Sequence, residues 1–405
     1  MHIEMTRRSF VEKAVLSTAG LALAIDARAQ TQSQAPEFKR KIKVGVVGNG
    51  GRGGWIAQLF QKHGGFEMHA VADYFPEVAD PCGQGLGVDK ARRFSTLSGY
   101  KRLIESGVEA VALETPPYFF PEHARAAVAA GLHIYMAKPV AVDVPGCLQV
   151  LAAAQEATRK NRCFLVDYQM PTDPVNQEVR NRLQAPGFGP ICEVATFGHG
   201  GGSADPPKTA TIESRLRGLI WTNDVAIGGD YIVNFDIHVI DAAIWVVGKR
   251  PVAAAGGSGI CRPDPHGDAR GVCSVIYEYA DGLVHNHSGM ALPNFAPGDL
   301  SCRILGQKGN ALFNYSGKTT LRSSDDHYEG AVENLYEAGA TRNIAAFYRN
   351  ITEGLCQNET AHRAVDGALA CILGREAAAR RMRLTMDALL QENKRLEVDL
   401  TGLKA

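Results

Sequence analysis

Short apolar runs and amphipathic stretches alternate along the first half of the chain. The apolar runs predict strands and lie at residues 42–47, 66–72, 108–113, 133–136 and 163–168. Between them, residues 121–130 and 144–160 carry apolar side chains at helical spacing. Strands that are separated by helices in this way indicate a parallel, doubly wound sheet. We therefore predict an α/β domain over residues 41–168.

The pattern changes after residue 168, where strands follow one another without helices between them. These predicted strands lie at residues 191–197, 252–259, 272–279, 283–291 and 301–305. Asp281-Gly282 has the composition of a hairpin turn between two of them. Consecutive strands of this kind indicate a mostly antiparallel sheet. We predict a second, α+β domain over residues 169–405, which ends in helices.

A glycine-rich turn follows the first predicted strand and opens a helix. It has the spacing G-x-G-x-x-G and consists of Gly48, Asn49, Gly50, Gly51, Arg52 and Gly53. Asp73 ends the next strand, about 20 residues further on. Together these features predict a Rossmann dinucleotide site, in which Asp73 accepts hydrogen bonds from a ribose and favours NAD over NADP. The alternatives are a glycine turn without a ligand and an Asp73 that only ends its strand.

Further candidate residues stand where predicted strands of the first domain end. Ligands of doubly wound sheets bind beyond the carboxyl ends of the strands. We therefore expect Thr115, Pro116 and Lys138 to contact the cofactor. Tyr168 follows the last strand, where it could serve as an acid, contact a sugar or simply pack.

A polar face marks one predicted helix of the second domain. From Asn234 onward the sequence has a stripe of isoleucines, and Asn234, His238 and Asp241 stand at positions i, i+4 and i+7 on another face. Such a face is either solvated or lines a site, and His238 by itself could be a hydrogen-bonded core residue. The glycines before it and the cofactor domain upstream favour a site.

The order of these motifs resembles the glucose–fructose oxidoreductase/inositol dehydrogenase (Gfo/Idh/MocA) family over nearly all of the chain after its first 29 residues. The glycine turn is followed by T-P-P, by Lys-Pro and by G-G-x(4)-N-x-D-x-H-x-x-D. The family's lysine corresponds to Lys138 and its histidine to His238. Asn234 stands for the usual first aspartate, while Ala137 replaces the glutamate that usually precedes the lysine. These departures indicate a divergent subgroup.

The resemblance implies an NAD(P)-dependent oxidoreductase that holds its cofactor tightly and acts on a secondary hydroxyl of a sugar or glycoside. His238 would take the proton and Lys138 would stabilise the alkoxide. Asp236, which replaces a family glycine, is expected to supply the carboxylate missing at Asn234, and Asp241 matches the motif's last aspartate.

Two other functions stay open at this point. One is a glycoside hydrolase that oxidises the sugar transiently, eliminates the aglycone, adds water and returns the hydride. The other is a non-catalytic binder of a nucleotide or sugar. The family also implies a homo-oligomer, a dimer or tetramer, because the apolar strands of residues 252–305 would otherwise leave one sheet face in water.

The N-terminus has the pattern of an export signal. Arg7 and Arg8 precede an uncharged run at residues 14–25 and the sequence Ala27-Arg28-Ala29. This predicts a twin-arginine signal peptide over residues 1–29, a linker over 30–40 and a periplasmic or extracellular protein. The apolar run is too short to span a bilayer, so no membrane span is expected in the mature protein.

The charge balance and the cysteine spacing of the chain argue against two kinds of partner, nucleic acids and metal ions. The 43 basic and 43 acidic residues cancel, which argues against nucleic acid as a partner. The nine cysteines form no C-x-x-C pair and no cluster with zinc-ligand spacing. We therefore expect no metal site and predict buried free thiols.

Overall fold

A computed structural model describes residues 38–202, 205, 211–262 and 267–405. Residues Arg40–Ala405 form one compact unit with two sheets. The predicted signal peptide and nearly all of the predicted linker lie outside the described residues.

The first sheet is parallel, as predicted, and has six strands, one more than the five expected. They are β1 (Ile42–Val47), β2 (Phe66–Ala72), β3 (Arg93–Phe94), β4 (Ala110–Leu113), β5 (His133–Ala137) and β6 (Phe164–Asp167). Their spatial order is β3-β2-β1-β4-β5-β6, so the chain leaves β1 toward one edge and returns through β4 toward the other. The cleft between the carboxyl ends of β1 and β4 is the point at which such sheets bind ligands.

Helices cover both faces of this sheet. They are α1 (Gly51–His63), α2 (Pro76–Gly85), α3 (Gly99–Ile104), α4 (Phe120–Ala129) and α5 (Val144–Arg159). α1 ends at Gly64, whose φ of 82° is the left-handed conformation that glycine adopts without steric cost. α5 begins at Asp143, whose carboxylate accepts the backbone N–H of Gly146. The strands between the helices are almost wholly buried, which explains their continuous apolar runs.

The second sheet has nine strands and is mostly antiparallel, again as predicted. They are β7 (Ile191–Gly200), β8 (Ala253–Gly259), β9 (Val272–Glu278), β10 (Val284–Ala291), β11 (Asp299–Gly306), β12 (Gly309–Asn314), β13 (Gly317–Ser323), β14 (His327–Val332) and β15 (Leu384–Thr385). Their order is β14-β13-β12-β11-β7-β10-β9-β8-β15, and β7 with β10 is a parallel pair.

The remaining helices pack beside this sheet and join it to the first. They are α6 (Pro174–Arg182), α7 (Ile212–Arg215), α8 (Val225–Gly228), α9 (Tyr231–Asn234), α10 (Ile237–Val247), α11 (Leu335–Glu353), α12 (Glu359–Arg380) and α13 (Met386–Glu392). α12 contacts α5 and β6 of the first layer as well as α10 and β8 of the second. Its buried, alanine-rich surface lets these elements approach closely.

One predicted element is wrong in its details. A single helix was expected from Asn234 onward, but α9 ends at Asn234 and α10 begins at Ile237. Phe235 and Asp236 lie in the break between them. Asn234 therefore lies on α9, whereas His238 and Asp241 lie three residues apart on α10, so the three residues do not follow one helical spacing.

Two further expectations concern chain properties. All nine cysteines are free; six are buried, whereas Cys192 and Cys261 are exposed, so the prediction of buried thiols holds only in part. Among the described residues, every helix is too short or too polar to cross a bilayer.

Candidate active site

A cavity of about 790 Å³ lies at the carboxyl ends of β1, β2, β4 and β5. Its floor is formed by the glycine turn and these strand ends. The opposite wall comes from residues 216–223 and from the start of α10. The cavity thus lies at the switch point of the first sheet and reaches into the second domain.

The glycine turn is built to leave room at the start of α1. A side chain on Gly48 would lie 2.7 Å from the carbonyl carbon of Glu114, and one on Gly53 would lie 1.9 Å from the carbonyl oxygen of Gly48. At Gly50 and Gly51 a Cβ would meet no atom within 4 Å. α1 has no side-chain cap, so its first N–H groups are open to an anion. This geometry fits the pyrophosphate of a dinucleotide.

Asp73 stands at the end of the cavity beside the glycine turn. Its carboxylate accepts the N–H of Asn49 at 2.7 Å and that of Phe75 at 3.0 Å. Burial raises the pKa of Asp73, and these backbone hydrogen bonds oppose the shift. The carboxylate is therefore held in place at the position where a ribose would bind.

Not all residues of the predicted cofactor set face the cavity. Gly48, Gly50, Gly51, Arg52, Asp73, Thr115, Pro116 and Lys138 line it. Asn49 is buried, and its amide donates to the carbonyl of Val46 at 3.2 Å. Gly53 packs against Gly48. Asn49 and Gly53 therefore support the turn on the side that faces away from the cavity.

Lys138 lies at the end of β5 and points across the cavity to the second domain. Its ammonium donates to the backbone oxygen of Asn234 at 2.6 Å. Burial, reinforced by the positive charge of Arg52, lowers the pKa of Lys138 to about 7. The lysine can therefore exist in both protonation states near neutral pH.

His238 lies in the first turn of α10 and faces the same cavity. Burial lowers its pKa well below the usual value, and the charges of Lys138 and Arg52 act in the same direction. Its ring centroid is 5.2 Å from that of Tyr315. The structure thus brings together Lys138, Asn234 and a neutral His238, although about 100 residues separate the lysine from the histidine.

Asp236 does not lie in the cavity. Its carboxylate contacts Nε2 of His287 at 2.9 Å and the thiol of Cys273 at 3.9 Å, beneath the second sheet. The break before α10 turns Asp236 away from the side on which His238 lies. The expectation that Asp236 replaces a carboxylate beside His238 is therefore wrong. In the described part of the chain, Asp236, Cys273 and His287 are a group close enough to hold a metal ion, but Asp236 and His287 already pair directly.

Asp241 and Tyr168 also lie away from the cavity. Asp241 pairs with Arg363 of α12 at 2.9 Å. Tyr168 is buried, and the guanidinium of Arg363 lies 5.8 Å from its ring. Both residues contribute to the packing of α12 rather than to the cavity wall, so their predicted placement in the site is wrong.

Several side chains that line the cavity were not predicted from the sequence, and Glu114 and Tyr336 are two of them. Glu114 directly follows the apolar strand β4, and this position could have indicated a site residue. The prediction instead named Thr115 and Pro116 of the T-P-P turn that follows it. Tyr336 lies in the first turn of the long helix α11, with no motif to mark it, and it stacks on Trp55 at 4.5 Å between ring centroids. Arg52 lies 5.3 Å from the Tyr336 ring.

The glycine turn, the acidic strand end and the cavity at the switch point define a dinucleotide-binding domain of the oxidoreductase type. Residues 42–166 match the GFO_IDH_MocA family, described as an oxidoreductase family with an NAD-binding Rossmann fold. Residues 42–166 thus match the model of an NAD-binding Rossmann domain, as the glycine turn and Asp73 predicted.

Relatives of known name match part of the chain. Inositol 2-dehydrogenase 3 of Saccharopolyspora erythraea is 30% identical over 149 residues, which are 36% of this chain and 42% of that protein. An alpha-N-acetylgalactosaminidase of Shewanella oneidensis is 26% identical over 180 residues, 40% of this chain and 39% of that protein. The chain thus spans about two-fifths of the length of these curated relatives.

The fold likeness extends further than the sequence likeness. A solved structure of levoglucosan dehydrogenase, in complex with NADH and levoglucosan, aligns with a TM-score of 0.70 at 20% identity. The alignment covers 85% of this chain and 99% of that one. Both domains of the present chain therefore share the fold of that enzyme.

Proposed function

We propose that the protein is an NAD-dependent oxidoreductase that acts on a secondary hydroxyl of a sugar or glycoside. The observation that carries this proposal is the meeting of Lys138 and His238, from two different domains, in the cavity that begins at the glycine turn. The names of the inositol and levoglucosan dehydrogenases support a polyhydroxylated substrate.

The charge states of the two residues suit this reaction. NAD, when bound, supplies the acceptor for a hydride. His238 is neutral near pH 7, so it can take the proton of a substrate hydroxyl. Lys138, held by the carbonyl of Asn234, can stabilise the oxyanion that this proton transfer leaves. Asp73 favours NAD because a 2′-phosphate would meet its carboxylate.

A second candidate is a glycoside hydrolase that oxidises its sugar only transiently. It is supported by the alpha-N-acetylgalactosaminidase among the relatives. In that case the same two residues would serve in oxidation, and the hydride would return to the sugar after elimination and addition of water. A cofactor held through the whole cycle would suit this chemistry.

One experiment separates these functions. Purified protein is denatured, and any dinucleotide released is identified; native protein is then mixed with inositols, anhydrosugars and nitrophenyl glycosides. An oxidoreductase changes the nicotinamide absorbance with a sugar, whereas the hydrolase releases nitrophenol without net change in the cofactor. Dinucleotide binding without either reaction would favour a non-catalytic binder, and no dinucleotide binding would contradict the proposal.

A homo-oligomer, a dimer or tetramer, is the second part of the proposal. Ile276 of β9 and Val284 of β10 are 49% and 40% exposed on the outer face of the second sheet. Covering them would remove apolar surface from water. Light scattering at micromolar concentration should give at least twice the monomer mass; a monomer would contradict this.

Export by the twin-arginine route is the third part, and it places the protein in the periplasm or outside the cell. It is supported by Arg7 and Arg8 ahead of an apolar run. Fusing residues 1–40 to a reporter tests it. Replacing both arginines by lysine should abolish export, and export that survives this change would contradict the route.

A further inference from the structure

The carboxyl ends of three neighbouring strands form a row on the cavity floor. β4 and β5 pair with Leu113 opposite Met136, which places the next residues, Glu114 and Ala137, side by side. β5 and β6 pair with Ala137 opposite Asp167. The small Ala137 therefore stands between two carboxylates.

Arg52 spans this row from the first turn of α1. Its guanidinium pairs with Asp167 and approaches Glu114 with a nitrogen–oxygen distance of 3.1 Å. Arg52 thus passes over Ala137 to reach both acids.

The two carboxylates, those of Asp167 and Glu114, differ in the number of their hydrogen-bond partners. Asp167 accepts a hydrogen bond from Asn343 at 2.6 Å and one from Gln169 at 3.3 Å, besides its pairing with Arg52. The side chain of Glu114 is wholly buried, and in the described part of the chain its carboxylate has its ion pair with Arg52 but no further hydrogen bond. Glu114 lines the cavity with Lys138. Glu114 is therefore the acid of the row that has fewer partners.

We propose that Glu114 is a positioning residue of the site, whose carboxylate, supplied from the strand beside Lys138 and held by Arg52, acts with Asp167 to keep the lysine charged. This inference depends on the proposed function in one respect, which is that Lys138 takes part in the reaction. Ala137, directly before the lysine, cannot supply a charge, and Glu114 does so from the adjacent strand.

The electrostatics agree with this arrangement. Burial raises the pKa of Glu114 to about 7, while Arg52 and Lys138 oppose the rise. The groups that face Lys138 are Arg52 on α1, Asp167 on β6, Glu114 on β4, Cys371 on α12 and His238 on α10. Of these groups, Asp167 favours the charged form of Lys138 most, followed by Glu114 and the Cys371 thiol. A buried ammonium without such partners would lose its proton.

The test follows the titration of Lys138 itself. Lysines of the full protein are methylated with isotope-labelled formaldehyde, and the Lys138 signal is assigned by its absence in Lys138→Arg. In the wild type we expect a midpoint near pH 7, and in Glu114→Gln a midpoint lower by about one pH unit. Glu114→Asp keeps the charge and should give an intermediate value, which also serves if Glu114→Gln does not fold.

Glu109→Gln is the matched control. Glu109 directly precedes β4 at the other edge of the sheet and pairs with Arg40, so its loss should leave the Lys138 midpoint unchanged. An equal midpoint in wild type, Glu114→Gln and Glu114→Asp would overturn the inference. NADH binding, followed by fluorescence in the same samples, tests the proposed function separately, because a protein that binds no NADH would still report the titration of Lys138.

Discussion

At the level of single side chains, Lys138 and His238 differ in how their charge responds to pH. The pKa of Lys138 is about 7, so its charged form is lost as the pH rises through that value. His238 has a pKa well below its usual value and stays neutral over the same range. Activity that needs the ammonium should therefore fall above pH 7 with no matching loss from His238 down to pH 6. A profile of kcat/KM that is flat through pH 7 would contradict this assignment.

Removing either side chain tests its part in the reaction. Lys138→Ala and His238→Ala should each lower kcat by about 10²–10⁴, the range for a lost proton acceptor or oxyanion partner. Thermal unfolding and NADH affinity should change little, since neither side chain contacts the glycine turn. Normal turnover in both variants would leave the non-catalytic binder as the better description.

Asp236 is expected to stabilise the fold rather than to take part in the reaction. It is wholly buried and pairs with His287, and Gly198 and Gly289 leave room for it, because a Cβ on either would lie 2.1 or 2.2 Å from its oxygens. Asp236→Ala should lower the free energy of unfolding by about 3 kcal/mol, since it leaves Nε2 of the buried His287 without its partner. Urea unfolding measures this, with the exposed Asp281→Ala as control. A stable but inactive Asp236→Ala would restore the catalytic interpretation.

At the level of elements, two glycines of the turn between β1 and α1 are expected to have different roles, one in folding and the other in cofactor binding. Gly53→Ala should destabilise the protein by about 1–3 kcal/mol, because its Cβ would overlap the backbone of Gly48. Gly50→Ala meets no protein atom and should leave the melting temperature unchanged, yet weaken NADH binding at least about tenfold by blocking the approach of the pyrophosphate. Equal NADH affinity in Gly50→Ala and wild type would place the cofactor elsewhere.

Buried strands were predicted more accurately than exposed ones. β1 and β2 have the predicted bounds, because both are continuous apolar runs in a buried parallel sheet. β13 and β14 were missed because lysine, arginine, glutamate and glycine interrupt their alternation and much of each strand is exposed. The break between α9 and α10 contains neither glycine nor proline, so its sequence continues a helical pattern that tertiary packing interrupts.

At the level of the whole molecule, the candidate site could be predicted only where one segment carries it. The glycine turn and Asp73 follow from local spacing, and Lys138 and His238 follow from their motifs. The row of Glu114, Ala137 and Asp167 depends on which strands are neighbours, which no single segment specifies. The turn of Asp236 away from the cavity and toward the second sheet depends on how α10 packs on that sheet.

The cavity is also closed by contacts between distant parts of the chain. At the end beside Asp73, the hydroxyl of Tyr74 donates to Glu213 at 3.2 Å and accepts the N–H of Lys404 at 3.1 Å. Arg217 pairs with Glu77 at 2.8 Å, and its guanidinium lies 4.0 Å from the ring of Phe75. Residues near the C-terminus and the segment around Arg217 thus meet over the first domain at the place where a ribose would bind.

These contacts should slow the release of a bound dinucleotide, as expected of a tightly held cofactor. Arg217→Ala combined with Tyr74→Phe removes the bridges without touching the glycine turn, so NADH dissociation should become roughly fivefold faster, in keeping with partly exposed contacts. Arg383→Ala, which breaks an exposed ion pair with Glu278 on the second sheet, is the control and should leave the rate unchanged. Stopped-flow displacement of NADH measures all three proteins. If the double variant releases NADH at the wild-type rate, the closure does not retain the cofactor, and any tight binding must come from the glycine turn and Asp73 alone.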